Sequence, residues 1–144
     1  MKKFELTSET KINIFGKKLF RIKALISFAD VEAGETGGWV EKEGNVNQSG
    51  DAWVSGNAEV SGNAEVSGDA EVYGNADYTT IHGFGTQFRT TTFFRCKDKK
   101  VRVACGCFFG TIPEFREQVK NTRKGKIAEE YLMIADLMEK HFEK

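Results

Sequence analysis

Residues 50–78 read GDAWVS, GNAEVS, GNAEVS, GDAEVY and GNADY, four copies of a six-residue unit followed by the start of a fifth. Residues two apart on a β-strand face the same side, so the alanine and the valine of each unit point into one interior. The glycine, with the Asn or Asp that follows it, favours the left-handed backbone of a tight corner. Three such sides close one triangular coil of about 18 residues. The period therefore predicts a hexapeptide parallel β-helix.

The repeat also predicts which side chains share a column. Valine occupies every sixth position from Val54 to residue 72, and an alanine stands two residues before each valine. The alanine column extends back through Val46 and Val40. Because one coil takes about 18 residues, we expect Ala58 to stack on Ala76.

The regular tract spans only about two coils, so its ends need caps from the flanking chain. We therefore divide the chain into an N-terminal β cap (1–37), the repeat (38–80) and a C-terminal β-hairpin with two helices (81–144). Segments 3–7, 11–15 and 18–25 have β-like composition, with a turn at 16–17. Within them, Phe20, Ile22 and Leu25 are predicted core residues.

The C-terminal segment contains both strand and helix signals. Residues 90–96 and 101–105 are rich in Thr, Phe and Val and predict a hairpin across 97–100. Thr111 and Glu114 have the spacing of a capping box, with Pro113 in the first turn of the helix. Apolar residues at helical spacing predict a last helix over 126–142. The predicted fold class is mainly β with C-terminal α.

Charge is divided unevenly along a chain of 144 residues whose formal net charge is zero. Residues 1–79 hold 8 Lys/Arg against 13 Asp/Glu, and residues 80–144 hold 13 against 8. The basic second half is expected either to meet an anionic partner or to attract the acidic half of a neighbouring subunit. With the short repeat and the apolar last helix, this favours a homo-oligomer.

Three cysteines, with no apolar leader at the start, are typical of reduced thiols in a cytoplasm. No stretch approaches the roughly 20 apolar residues of a membrane span. A cytoplasmic location without membrane partners is expected.

The candidate ligand-binding segment follows the repeat. Glycines 83 and 85 allow close backbone approach, threonines supply hydroxyl donors, and arginines bind anions in a bidentate manner. Phenylalanines could stack on a base, so the ligand predicted is a phosphate-bearing molecule such as a nucleotide. The alternative is that the threonines are strand formers and the phenylalanines are core. The predicted binding residues are His82, Thr86, Arg89, Thr90, Thr91, Thr92, Phe94, Arg95, Cys105 and Cys107.

Other chemistries fit the sequence less well. Cys96, Cys105 and Cys107 lack CxxC spacing, and only His82 and His141 could complete a zinc site, so no metal is predicted. No Walker-type or Rossmann-type motif is present, and no cofactor is predicted. Acyl transfer would need a histidine base, for which His82 is the candidate. We predict that the protein is not an enzyme.

The repeat resembles the left-handed β-helix of hexapeptide-repeat proteins, best known from acyltransferases. Nearly the whole chain resembles a family of small hexapeptide-repeat proteins encoded by phages and prophages, chiefly of Firmicutes. That resemblance is carried by residues 19–25, 37–41, the repeat, 85–86, 89–94, 105–108, 110–111, 114–115 and 130–131. In relatives the segment 121–123 more often ends in histidine, so Arg123 departs from the pattern.

The resemblance implies a phage-type accessory protein in the host cytoplasm, with counter-defence as the setting. Its partner would be a nucleotide-like signal or a host defence protein. By analogy with hexapeptide proteins the oligomer would be a trimer. An acyltransferase-like enzyme and a purely structural oligomerisation protein are the alternatives.

Overall fold

The computed structural model describes residues 2–86, 89–105 and 108–143. Within these ranges the chain is mainly β with two C-terminal helices, which confirms the predicted class. The strands are β1 (Phe4–Ile12), β2 (Lys18–Ala24), β3 (Thr36–Val40), β4 (Trp53–Val54), β5 (Glu59–Val60), β6 (Glu71–Val72), β7 (Tyr78–Phe84), β8 (Arg89–Arg95), β9 (Val101–Cys105) and β10 (Phe108–Thr111), and the helices are α1 (Ile112–Thr122) and α2 (Gly125–His141).

The N-terminal strands form a sheet in the order β1-β2-β3-β5. β1 and β2 make an antiparallel hairpin, and β2 pairs antiparallel with β3. Of the predicted core residues, Ile22 is buried, Phe20 is half-buried and Leu25 is exposed. Leu19 and Ala24 take the inner positions instead. A register irregularity between Arg21 and Lys23 interrupts the simple alternation along β2.

The repeat pairs with itself in parallel over short stretches. Val54 lies opposite Val72, an offset of 18 residues. Val40 lies opposite Val60 and Val46 opposite Val66, an offset of 20. The valines and the alanines of the regular units are buried.

Two details of the repeat were predicted wrongly. Val40 and Val46 belong to the valine column, because eight residues rather than six separate Val46 from Val54. The regular unit also ends earlier, since Ala76 lies in the 3₁₀ turn Asn75–Asp77 and is exposed rather than stacked on Ala58.

The parallel pairs are two-residue strands and a single bridge, while the larger sheets are antiparallel or mixed. A parallel β-helix is therefore not established by these pairings.

A buried lysine sits beside the repeat, a feature that the sequence does not signal. The Lys3 ammonium donates to the carbonyl oxygen of Ala52 at 2.6 Å and to that of Gly50 at 3.3 Å. Its nitrogen lies 4.8 Å from the centre of the Phe28 ring. Burial lowers the pKa of Lys3 to about 8, and the charge of Asp51 opposes that shift in part.

The contribution of Lys3 to stability is expected to rise with pH between about 8 and 10.5. In that window the folded chain binds fewer protons at Lys3 than the unfolded chain, so the folded state is favoured as pH increases. The rise is at most about 3 kcal/mol. Urea unfolding of the wild type and of Lys3→Met, each at about pH 7 and about pH 10, measures it as a difference between the two pH responses. Equal responses would show that Lys3 does not titrate as described, since tyrosines and Cys96 contribute to both proteins alike.

The C-terminal sheet is antiparallel, in the order β10-β9-β8-β7. The predicted hairpin is its central pair, β8 and β9, with Phe94 opposite Arg102. The outer strands β7 and β10 were not predicted. β7 begins at Tyr78, the last residue of the repeat-like sequence GNADY (residues 74–78). Nothing in that sequence indicates that strand pairing changes from parallel to antiparallel there.

This sheet contacts the repeat through backbone and side-chain bonds. The Tyr78 hydroxyl donates to the carbonyl oxygen of Glu59, and the Glu65 amide donates to Thr92 Oγ1 at 3.1 Å. The Lys97 amide donates to the carbonyl oxygen of residue 69 at 3.0 Å. The repeat thus lies between the N-terminal sheet, reached through β3, and the C-terminal sheet.

The helices cover the other face of the C-terminal sheet. Thr111 Oγ1 accepts from the Glu114 amide at 3.2 Å, and Glu114 Oε1 accepts from the Thr111 amide at 2.8 Å, which confirms the predicted capping box. Helix α2 lies within one residue of the prediction. In the part of the chain that the structure describes, no helix combines the length and apolar character needed to cross a membrane.

Candidate functional site

The alternation of strand β8 divides the predicted ligand residues between two faces of the C-terminal sheet. Phe93 packs in the core beneath the helices, whereas Phe94 packs in the core of the repeat. Because side chains two apart share a face, Arg89, Thr91 and Arg95 belong with Phe93. The residues on the repeat side are Thr90, Thr92 and Phe94. One continuous site made of all the predicted residues is therefore not formed.

A cleft of about 340 Å³ opens between the end of the C-terminal sheet and the two helices. We call it the helix-side cleft. Its polar lining combines side chains from the β7–β8 connection, β8, β9 and α1, and its aromatic lining comes from β7, β10 and both helices. The polar residues are Thr86, Arg89, Cys105, Gln118, Thr122 and Arg123, and the aromatic residues are Phe84, Phe108, Phe115 and Tyr131.

Two arginines from different elements affect the pKa of one tyrosine, Tyr131, in this cleft. Burial raises the pKa of the Tyr131 hydroxyl, and the neighbouring Cys105 raises it further. The positive charges of Arg123 and Arg89 lower that pKa. Arg89 belongs to β8 and Arg123 is the C-cap of α1, so the docking of the helix on the sheet brings the two guanidinium groups to one cleft.

Gly85 lets the backbone come close to Tyr131. Its φ is +79°, and a Cβ built there would lie 2.6 Å from the Tyr131 hydroxyl oxygen. Glycine is therefore required at this position both by conformation and by space. The sequence-based prediction was a close approach of this glycine to a ligand, whereas the neighbour in the structure is the Tyr131 side chain.

The thiol of Cys105 lies at the same cleft. The Thr91 hydroxyl donates to Cys105 Sγ at 3.1 Å, and Thr91 itself is buried. Thr91 therefore helps to orient the thiol. The Cys96 thiol lies elsewhere, in the core of the repeat, where burial raises its pKa to about 12. Cys107, also predicted as a ligand residue, lies outside the described residues.

A second cleft, of about 290 Å³, lies between the C-terminal sheet and the repeat. Within it, His82 Nδ1 and Thr90 Oγ1 are 3.1 Å apart. Arg89 lines both this cleft and the helix-side cleft. The residues that line the second cleft are Asn63, Glu65, His82, Arg89, Thr90, Thr92 and Ala104.

Three predicted ligand residues make contacts within the protein. Phe94 is fully buried, with its ring centre 6.1 Å from that of Phe109. Thr92 is buried and bonded to the repeat through Glu65. Arg95 Nε lies 3.2 Å from an oxygen of Asp77, and its guanidinium lies over the Phe142 ring at 5.4 Å. The sequence gives the residue type at these three positions, but it does not show which other residue each side chain contacts.

Sequence reasoning missed Tyr131, Gln118 and Thr122, and did not count Arg123 among the ligand residues. Tyr131 belongs to the apolar stripe predicted for the last helix, and it does pack there, with its ring centre 5.8 Å from that of Phe115. Its hydroxyl end nevertheless reaches the cleft. The only available signal was a hydroxyl-bearing residue, this tyrosine, within an otherwise apolar stripe.

Among residues 2–86, 89–105 and 108–143, no three His, Cys, Asp or Glu side chains converge into a group that could hold a metal ion. A scan of protein-family models and a search of curated proteins found no match to this chain.

Proposed function

We propose that the protein is a non-catalytic binding protein whose helix-side cleft takes an anionic ligand with a planar ring, such as a nucleotide. The observation that carries the proposal is the meeting of Arg89 and Arg123 in one aromatic-lined cleft. A guanidinium presents several donors in a rigid fork that suits phosphate oxygens. Two of them from separate elements favour a ligand with a concentrated negative charge.

The remaining lining suits the rest of such a ligand. Phe84 and Phe108 are half-buried and line the cleft, so a base can stack on them. Thr86 and Thr122 add hydroxyl groups at the polar side. A volume of about 340 Å³ is at the lower end of the range usual for small-molecule sites, about 300–1,000 Å³.

In this proposal the repeat is the scaffold, wound as a short left-handed parallel β-helix of about two coils. Offsets of 18 and 20 residues between paired valines, with the valine column wholly buried, support that winding. A close-packed column of this kind gives a rigid support, and β8 is bonded to it through Thr92. Arg89 is thereby held on a strand that is fixed to the scaffold.

The setting we propose is that of a phage-type accessory protein that removes a nucleotide signal in a host cell. It rests on the resemblance of the sequence to prophage-encoded hexapeptide proteins and on the basic character of the C-terminal half. Sequestration needs only tight, reversible binding.

Replacement of either arginine by alanine is expected to weaken nucleotide binding about tenfold to a hundredfold, the loss typical of a charge-assisted hydrogen bond. Isothermal titration calorimetry against linear and cyclic nucleotides and inorganic phosphate measures the affinity, and thermal unfolding with excess ligand gives a second readout.

Lys124→Ala is the matched control. Lys124 follows Arg123 directly, carries the same charge and is exposed, but it does not line the cleft. An equal loss in Arg123→Ala and Lys124→Ala would mean that general charge, not the cleft, attracts the ligand. Absence of binding for every nucleotide in the wild type would overturn the proposed function.

A further inference from the structure

The second cleft offers hydrogen-bonding groups where the helix-side cleft offers rings. Thr90 and Thr92 of β8 line it beside His82 of β7, and the repeat contributes Asn63 and Glu65. Among the described residues, four Phe or Tyr side chains line the helix-side cleft, and no Phe, Tyr or Trp side chain lines the second. A base therefore has described rings to stack on in the first cleft but not in the second.

An irregularity in β7 divides its side chains between the two clefts. Residues two apart on a regular strand share a face, yet Phe84 lines the helix-side cleft and His82 lines the second cleft. The register of β7 against β8 shifts between these two residues, and Gly83 between them has a φ of +94°. The local kink accounts for the different directions of the ring and the imidazole. One strand end thus supplies a side chain to each cleft.

Arg89 is the only described residue that lines both clefts. It begins β8 and lies opposite Phe84, at the end of the C-terminal sheet. The two clefts are therefore no farther apart than the reach of one arginine side chain. If Arg89 holds the phosphate of a nucleotide in the helix-side cleft, the next group attached to that phosphate lies at the second cleft.

The charges at the second cleft are mixed. Arg89 and the exposed Glu65 both line it. Beside it, Lys42 Nζ donates to Asn63 Oδ1 at 2.9 Å, and Glu41 Oε1 accepts from the backbone amide that precedes Asn63 at 2.7 Å. Two positive and two negative side chains do not make the concentrated positive charge that a further phosphate favours. The group expected here is polar and uncharged.

The polar groups of the second cleft suit hydroxyl groups. The Glu65 carboxylate is an acceptor, and the amide nitrogen of Asn63 is a donor whose partner oxygen is bonded to Lys42. Thr90 Oγ1 lies 3.1 Å from His82 Nδ1, which adds a hydroxyl and an imidazole. Each hydroxyl of a sugar both donates and accepts, so donors and acceptors side by side match a sugar.

We propose, on the basis of the nucleotide function proposed above, that the second cleft binds a sugar joined through phosphate to that nucleotide. The ligand class is then that of the nucleoside diphosphate sugars. The base stacks in the helix-side cleft, Arg89 binds the phosphate at the junction, and the sugar hydroxyls meet Asn63 and Glu65.

Isothermal titration calorimetry with matched pairs of ligands tests the proposal. The pairs are ADP with ADP-ribose, UDP with UDP-glucose, and GDP with GDP-mannose. For the base that the helix-side cleft accepts, the sugar is expected to tighten binding about tenfold to a hundredfold, the gain from two added hydrogen bonds. The free diphosphate carries more negative charge than its sugar ester, so general attraction to arginine acts against this gain.

Asn63→Ala is expected to weaken binding of the sugar ligand about threefold to tenfold and to leave binding of the free diphosphate unchanged. Asn57→Ala is the matched control, because Asn57 and Asn63 hold the same position in two identical GNAEVS units. Both are exposed, but only Asn63 lines the cleft. His82→Ala is expected to act as Asn63→Ala does. Matching circular dichroism spectra and thermal midpoints establish that the variants remain folded.

The possible outcomes separate this proposal from the nucleotide function. Diphosphates that bind with no gain from any sugar would overturn the sugar site alone, as would equal losses in Asn57→Ala and Asn63→Ala. Tighter binding of the dinucleotide adenylyl-adenosine than of ADP-ribose would overturn it in favour of a second base. If neither member of any pair binds, the nucleotide function itself fails.

Discussion

Gly37→Ala is expected to lower the free energy of unfolding by about 3 kcal/mol, although it adds a single methyl group. Gly37 lies in β3, where an added Cβ would stand 2.5 Å from the carbonyl oxygen of Val54 and 2.7 Å from Cζ2 of Trp53. It would also stand 2.8 Å from Cγ1 of Ile22. The first of these neighbours is backbone, in a strand paired with β6, so the clash is relieved only by disturbing the repeat.

Gly44→Ala is the matched control for this substitution. Gly44 lies in the 3₁₀ turn Glu43–Asn45 and is exposed, and a Cβ added there would meet no atom within 4 Å. Urea unfolding is expected to show a lower midpoint for Gly37→Ala and little change for Gly44→Ala. Equal midpoints for the two variants would mean that the close packing of β3 against the repeat is not as described.

The buried valines of the repeat were predictable from sequence because each follows from a local rule. A strand alternates, so the valine of each unit had to point inward with the alanine two residues before it, and Val54, Val60 and Val66 are all buried. The rule failed where the spacing changed, between Val46 and Val54, because a period carries no information about an irregular connection. It failed again at Ala76, where a repeat-like sequence leads into an antiparallel strand whose partner lies further along the chain.

The helix ends were predictable for the same reason. The Thr111 and Glu114 bonds of the capping box are formed within one turn and depend on nothing distant. Lys3 is the opposite case. Its burial depends on carbonyl groups near residue 50, so no pattern around Lys3 could reveal it.

The candidate site was predictable only in part, because it joins elements whose docking is not local. Residues 83–95, with 105–107, were identified from their composition, and Thr86, Arg89 and Cys105 line the helix-side cleft. The period-two rule of a strand is enough by itself to place Thr91 and Thr92 on opposite faces of β8. Arg123 and Tyr131 enter the cleft only because the helices pack on the sheet. The same packing brings the guanidinium groups of Arg89 and Arg123 to one cleft.

Phe94→Ala is expected to lower the free energy of unfolding by about 3–5 kcal/mol, the usual cost of truncating a fully buried phenylalanine. Phe94 lies opposite both Tyr78 and Arg102 in the C-terminal sheet, and its ring is part of the core of the repeat. Its loss opens a cavity between these two parts of the molecule. Because small domains are stable by only about 5–15 kcal/mol, thermal unfolding is expected at a much lower temperature.

The half-exposed neighbour of Phe94 provides the comparison that separates packing from ligand binding. Phe109 is 49% exposed, so Phe109→Ala removes less buried area and is expected to cost less than half as much. At a temperature where Phe94→Ala remains folded, its affinity for the ligand that we propose, a nucleotide, is expected to equal that of the wild type, because Phe94 faces the repeat and not the helix-side cleft. Unchanged stability together with weakened nucleotide binding would reverse this assignment and return Phe94 to the ligand site.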